Sequence, residues 1–198
     1  MTFIETVPED QATGPVAAMY ETDRQLFGGS VPNLTQGFSL RPDVYAAWRQ
    51  LNGAIKSNMD LRRYELATMA AALRLRSSYC ALAHGSVLLN ELREEPETVR
   101  GLASDPRAAG LDVVDIAVMD LADKVAHDAS SVTQADVDRL RALGLTDAEI
   151  MDVVLAASAR CFFSKALDGL GVAPDAKYAQ LDPDLREALT VGRAIAQA

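Results

Sequence analysis

Two residues of this chain could work together in thiol or proton-transfer chemistry: Cys80 and His84, four positions apart in SSYCALAHG. If that segment is helical, their side chains share one face, one turn from each other. A nearby imidazole can accept a thiol proton or stabilise the thiolate. Cys80 would also fall in the first turn of its helix, where unpaired backbone N–H groups favour an anion. Both effects lower a thiol pKa and raise the thiolate fraction. The same spacing equally suits an inert buried cysteine beside a hydrogen-bonded histidine. Glu65 changes the balance, because Met69 and Leu73 follow it at helical spacing and the Ala70-Ala71-Ala72 run predicts close helix packing. A carboxylate buried on such a face has a raised pKa and needs a partner. A Glu–His–Cys relay would satisfy all three groups, whereas a Glu65 at the helix surface would merely complement the dipole.

The elements that must position these residues are helices, since helical punctuation dominates and strand signals are nearly absent. The chain is therefore predicted all-α. A first helix spans about Pro15 to Phe27, ahead of a loop SVPNLTQGF, and a second begins near Pro42 with Val44, Trp48, Leu51 and Ile55 at helical spacing. The segment from Asp60 is too long for one globular helix. It divides into about Asp60–Leu75 and Ser78–Leu92 at an Arg-Ser-Ser turn, with Ser77 as the N-cap of the second. Further helices cover about Pro96–Leu102 and Val113–Ala126, then one capped by Thr133. Thr146 and Glu149 form a capping box that opens a long apolar helix to about Leu167. That helix, hydrophobic on nearly all sides, suits deep burial or an interface. Met119, Met151, Phe162 and Phe163 read as core. Asp182-Pro183 starts a final surface helix. The chain reads as one domain, 1–198: an N-terminal helical extension 1–58, motif helices 60–92 and C-terminal helices 112–194.

Composition narrows the function classes. The net charge is −9 and no run of Lys or Arg could track phosphates, which argues against nucleic acid. Apolar stretches are broken by charges before the ~20 residues of a membrane span. The acidic N-terminus lacks the order of a signal peptide, so the expected location is cytoplasmic. Two cysteines and two histidines are too few for a disulfide framework or a conventional zinc site. His127, at a helix end, reads as a surface residue favoured by the helix dipole.

The intervals from Glu65 to Ser77-Ser78-Tyr79-Cys80 and His84 match a signature of a Glu, a Cys-x-x-Cys pair beginning twelve residues later, and a His four past the second Cys. The flanks ATGPVAAMY, VPNL, RPDVYAAW, the stretch from Val132 to Ile150, and Asp168-Gly169-Leu170-Gly171 extend the likeness from about Thr13 to Val172. On these residues the chain resembles the alkylhydroperoxidase (AhpD)-like/carboxymuconolactone decarboxylase superfamily, in its peroxidase-related branch. The resemblance implies an AhpD-like multihelical bundle of about eight or nine helices, assembled as a homo-oligomer (dimer, trimer or hexamer). It also implies a peroxidatic Cys80 with Glu65 and His84 as proton relay, no metal or other cofactor, and a lipoyl or other dithiol partner. Tyr79 falls where such proteins often carry an aromatic or His.

One departure matters. Ser77 replaces the first cysteine, so the CxxC disulfide cannot form. A sulfenic acid on Cys80 would then be resolved by an external thiol reductant, by Cys161 or by a partner chain. Cys161, in an apolar helix, also suits inert packing. The expected function is antioxidant reduction of a small-molecule peroxide through Cys80. The alternatives are a decarboxylase-like acid/base enzyme acting on a carboxylate substrate through His84 and Glu65, and a non-catalytic helical binding protein.

Overall fold

The computed structural model describes residues 2–197 and shows ten α-helices, with no strand among those residues. They are α1 Gly14–Leu26, α2 Asn33–Gly37, α3 Pro42–Ser57, α4 Leu61–Arg74, α5 Ser78–Asn90, α6 Pro96–Ser104, α7 Val113–Asp128, α8 Gln134–Ala142, α9 Asp147–Gly169 and α10 Pro183–Leu189. The all-α expectation holds. The addition is α2, five residues inside the stretch read as loop, where Pro32 sets the entry to a single short turn of helix.

Helix α4 lies at the centre, packed against α5, α7 and α9. Its alanines explain this: Ala67, Ala71 and Ala72 are fully buried, and small side chains let neighbouring helices approach on several sides. The start of α4 is anchored by polar contacts. Asp60 accepts a hydrogen bond from the Arg63 backbone N–H at 3.0 Å, Arg62 pairs with Glu94 and Asp115, and Arg63 pairs with Glu149 at 2.7 Å. Glu65 follows within one turn and is thereby held in place. The long helix α9 opens with the expected box, Thr146 Oγ1 and Glu149 bonding reciprocally.

The break between α4 and α5 falls where predicted, but its mechanism differs. Arg76 takes a left-handed conformation (φ 55°), and the N–H groups of Ser77 and Arg76 close back onto Ala72 and Leu73 carbonyls at 2.9 and 3.0 Å. This is a Schellman ending built on arginine rather than glycine. Ser77 occupies the N-cap position of α5, yet its hydroxyl makes no capping bond and has no hydrogen-bond partner. Ser77 is fully buried, with backbone φ −92° and ψ 94°.

Two core assignments are also corrected. Met119 and Phe163 are buried, but Met151 and Phe162 are 60% and 49% exposed, as is Leu51 at 53%. An apolar helix of 23 residues offers more hydrophobic surface than the neighbours on its inner face cover. Nor is α10 wholly a surface helix, since Leu185 and Leu189 are buried against α5 and α6.

The C-terminal tail fastens the start of α5. The Gly192 N–H donates to Ser78 Oγ at 2.8 Å, and a Cβ on Gly192 would lie 2.0 Å from the Arg76 carbonyl oxygen. Only glycine allows that approach. Gly192→Ala should therefore lift the tail and cost about 1–3 kcal/mol, the range for forced overpacking. Chemical denaturation would check the loss, and earlier proteolytic cleavage after Leu189 should accompany it.

Candidate functional site

The site residues come from three helices whose sequence patterns turn polar groups inward. On α4, Glu65 lies on the face that carries Met69, and only 1% of it is exposed. On α5, His84 follows Cys80 by one turn, and both are buried. The Glu65 carboxylate accepts from His84 Nδ1 at 2.5 Å, with Thr68 Oγ1 3.3 Å from the same nitrogen. Lys56 of α3 reaches the other carboxylate oxygen at 3.5 Å.

Burial opposes ionisation of Glu65. The charge and hydrogen bond of His84, with Lys56 and Arg160 beyond, outweigh it and hold the carboxyl below its ordinary range. The sequence reading expected the opposite direction, because it counted desolvation and had no cations to set against it. Burial and the nearby Arg160 guanidinium lower the His84 pKa despite Glu65. The short contact turns Nδ1 toward Glu65 and leaves Nε2 as the ring nitrogen that Glu65 does not engage.

Cys80 is the third residue of α5, in the first turn as expected. Its partners, however, are on α9. Ser164 Oγ donates to Sγ at 3.1 Å, and Arg160 Nη1 lies 3.5 Å away. No hydrogen bond among the described residues joins Cys80 to His84. The three residues expected to form one relay therefore fall into two separate groups, a Glu65–His84 pair and a Cys80–Arg160–Ser164 cluster. Arg160 and Ser164 are themselves one helical turn apart, so one face of α9 supplies both.

Arg160 is 4% exposed. Burial works against its charge, but Cys80 and Tyr64 more than offset that and raise its pKa. Its Nη2 is 3.4 Å from Tyr64 Oη, and that hydroxyl donates to Asn52 Oδ1 at 2.7 Å. A cavity of about 390 Å³ opens beside this cluster, with Trp48, Lys56, Tyr64, His84, Arg160 and Phe163 in its wall. Glu65 also lines it, while Cys80 is not in its wall. Trp48 and Phe163 stack at 4.6 Å and form an aromatic side to the cavity.

The remaining candidates lie elsewhere. Tyr79 donates to Asp175 Oδ2 at 2.6 Å and accepts from the Leu34 N–H at 3.2 Å, fastening the start of α2 and the segment after α9. Burial, with the Asp175 carboxylate beside it, pushes its phenol well above the ordinary range. Cys161 is a free thiol, as is Cys80. It lies about 100° around α9 from Arg160 and so off the face that meets Cys80. Burial raises its pKa. His127 is at the exposed end of α7. Arg160, Ser164, Tyr64 and Lys56 were missed by sequence reasoning. A lone arginine within the run VVLAASARCFFSKAL, with Ser164 four residues on, was the available signal.

With the geometry described, the class of the fold can be stated: this is an all-α AhpD-like bundle. A Ralstonia eutropha structure described as an alkylhydroperoxidase AhpD core, an uncharacterized peroxidase-related protein, superimposes with TM-score 0.81 at 20% identity, over 89% of this chain and 94% of that one. An uncharacterized peroxidase-related protein from Silicibacter sp. gives TM-score 0.75 at 19% identity, covering 89% and 91%. An Agrobacterium tumefaciens protein of unknown function, whose name assigns it to AhpD-type antioxidant defence, gives 0.64 at 16%, covering 69% and 94%. No protein-family model and no curated protein sequence matches the chain.

The direction of the His84 shift has a measurable consequence. A histidine whose folded pKa lies below its ordinary 6.5 contributes stability above that value and loses it as pH falls toward the folded pKa. Glu65, lowered from 4.5, adds a second loss at lower pH. The Tm advantage of the wild type over His84→Gln should accordingly narrow as pH falls from neutral toward 5. A widening advantage would mean instead that the folded protein holds an imidazolium against Glu65.

Proposed function

We propose that this chain is a thiol-dependent peroxidase in which Cys80 attacks the peroxide and an external thiol completes the cycle. The observation that carries the reading is the placement of Cys80. It lies in the first turn of α5, with the Arg160 guanidinium and the Ser164 hydroxyl both directed at Sγ. The guanidinium and the hydroxyl hold the sulfur in place at the start of the helix, as a nucleophile oriented by its neighbours requires.

In the proposed reaction the Cys80 sulfur attacks the distal peroxide oxygen and the O–O bond breaks. The products are a sulfenic acid on Cys80 and one alcohol, or water if hydrogen peroxide is the substrate. The thiol proton passes to the departing oxygen, with neutral His84 as carrier and Glu65 steadying its charge. One external thiol then displaces water from the sulfenic acid to give a mixed disulfide. A second releases Cys80 and leaves as the oxidised disulfide. Ser77 takes no part in this one-cysteine cycle.

A second reading has its own observation. Glu65 and His84 line the cavity and Cys80 does not. A His84 general base acting on a carboxylate substrate, as in a decarboxylase-like enzyme, would need only that pair.

Steady-state kinetics with peroxide and a small thiol separate the two. Cys80→Ser should fall to background, Cys161→Ser should stay within roughly twofold, and His84→Gln should lose roughly 10²-fold, the lower end for proton-transfer catalysis. Full activity in Cys80→Ser would overturn the peroxidase reading. Ser77→Cys is expected to form a disulfide with Cys80 after peroxide, giving two thiols consumed per chain in a thiol count.

A further inference from the structure

Arg160 is a buried cation whose requirements the chain leaves unmet. Its two hydrogen bonds are long, at 3.5 Å to a sulfur and 3.4 Å to a phenol, and its Nε has no partner at all. No ion pair among the described residues involves it. The other two cations in the cavity wall are engaged, Arg49 with Asp23 at 2.5 Å and Lys56 with Glu65 at 3.5 Å. Burying a guanidinium with an N–H left unpaired is costly, and a carboxylate within hydrogen-bond reach would relieve the cost. The guanidinium, rather than the aliphatic stem, meets the cavity. Its Cζ lies 5.7 Å from the rings of both Trp48 and Phe163, and Tyr64 Oη, also in the wall, is its partner.

We propose that this cavity binds an amphipathic organic acid, its carboxylate on Arg160 and its apolar body along Trp48 and Phe163. A planar guanidinium with unsatisfied N–H groups matches a carboxylate through paired, charge-assisted bonds. A single unengaged cation and an aromatic wall suit one negative charge on an apolar body better than the nearly two charges of a phosphate. The volume of about 390 Å³ falls within the ~300–1,000 Å³ usual for small-molecule sites. A bound carboxylate would share Arg160 with Cys80 and bring the ligand beside the thiol. On the peroxidase reading, on which this last step rests, the substrate class is an organic hydroperoxide that carries a carboxylate.

Trp48 is the chain's only tryptophan and it lines the cavity, so its emission reports occupancy directly. The test titrates phenylacetate and its neutral isostere phenylacetamide into the wild-type protein, with no peroxide present. A saturable emission change is expected with the acid, at least about tenfold tighter than with the amide, as a charge-assisted bond pair supplies. Arg160→Gln should bring the acid down to the affinity of the amide. Equal affinity for acid and amide, or no saturable change with either, would overturn the proposal. The acid–amide comparison needs no variant, so it decides even if Arg160→Gln does not fold. Binding is read without turnover. Absence of peroxidase activity, with selective acid binding intact, would count against Cys80 chemistry and not against the site; normal peroxide turnover with no acid preference would do the reverse.

Discussion

A guanidinium held in the middle of an apolar helix, in no ion pair among the described residues, is the constraint around which this site is arranged. Arg160 touches Cys80 on one side and Tyr64 on the other, and through Tyr64 it reaches Asn52 of α3. It lowers the His84 pKa and helps keep Glu65 ionised. Its position depends on α9 packing against α4 and α5, which in turn depends on the alanines of α4. The fold and the electrostatics of the site are therefore coupled. Any change that shifts α9 relative to α5 moves the cation away from the thiol.

The division of the site into two halves follows from this arrangement. An i, i+4 pair on one helix can share a face without sharing a hydrogen bond when each member finds a stronger partner on a neighbouring helix. His84 finds the Glu65 carboxylate on α4, and Cys80 finds Ser164 and Arg160 on α9. On the proposed reading each half offers one working position: an imidazole in the cavity wall, and a sulfur flanked by a guanidinium and a hydroxyl.

Much of the fold was legible because its signals are local. Proline starts, the Thr146–Glu149 box and the spacing of apolar residues placed nearly all the helices close to their observed bounds. Local signals failed where the outcome depended on tertiary partners. Ser77 has the composition of an N-cap but is buried at a turn made by Arg76. Met151 and Phe162 look like core residues, yet the described residues leave both largely exposed, even with Trp48 tilted against the Phe162 ring. In the site, Glu65, Cys80 and His84 were visible from their spacing. Arg160 was not, because an arginine in an apolar run gains meaning only when its helix is known to face the thiol. The expected pKa direction of Glu65 was reversed as well, because desolvation was counted without weighing against it the His84 interaction and the smaller effects of Lys56 and Arg160.

The measurement closest to the central claim is trapping of the Cys80 oxidation product with dimedone after one equivalent of hydrogen peroxide. It is carried out in a Cys161→Ser background and read by peptide mass. Cys80 as the peroxide-reactive thiol, with Arg160 as its cation, predicts a dimedone adduct on Cys80 approaching one per chain, formed more slowly in Arg160→Gln. A Cys80 that stays a free, fully alkylatable thiol after peroxide would contradict the account and move the chemistry to the Glu65–His84 pair.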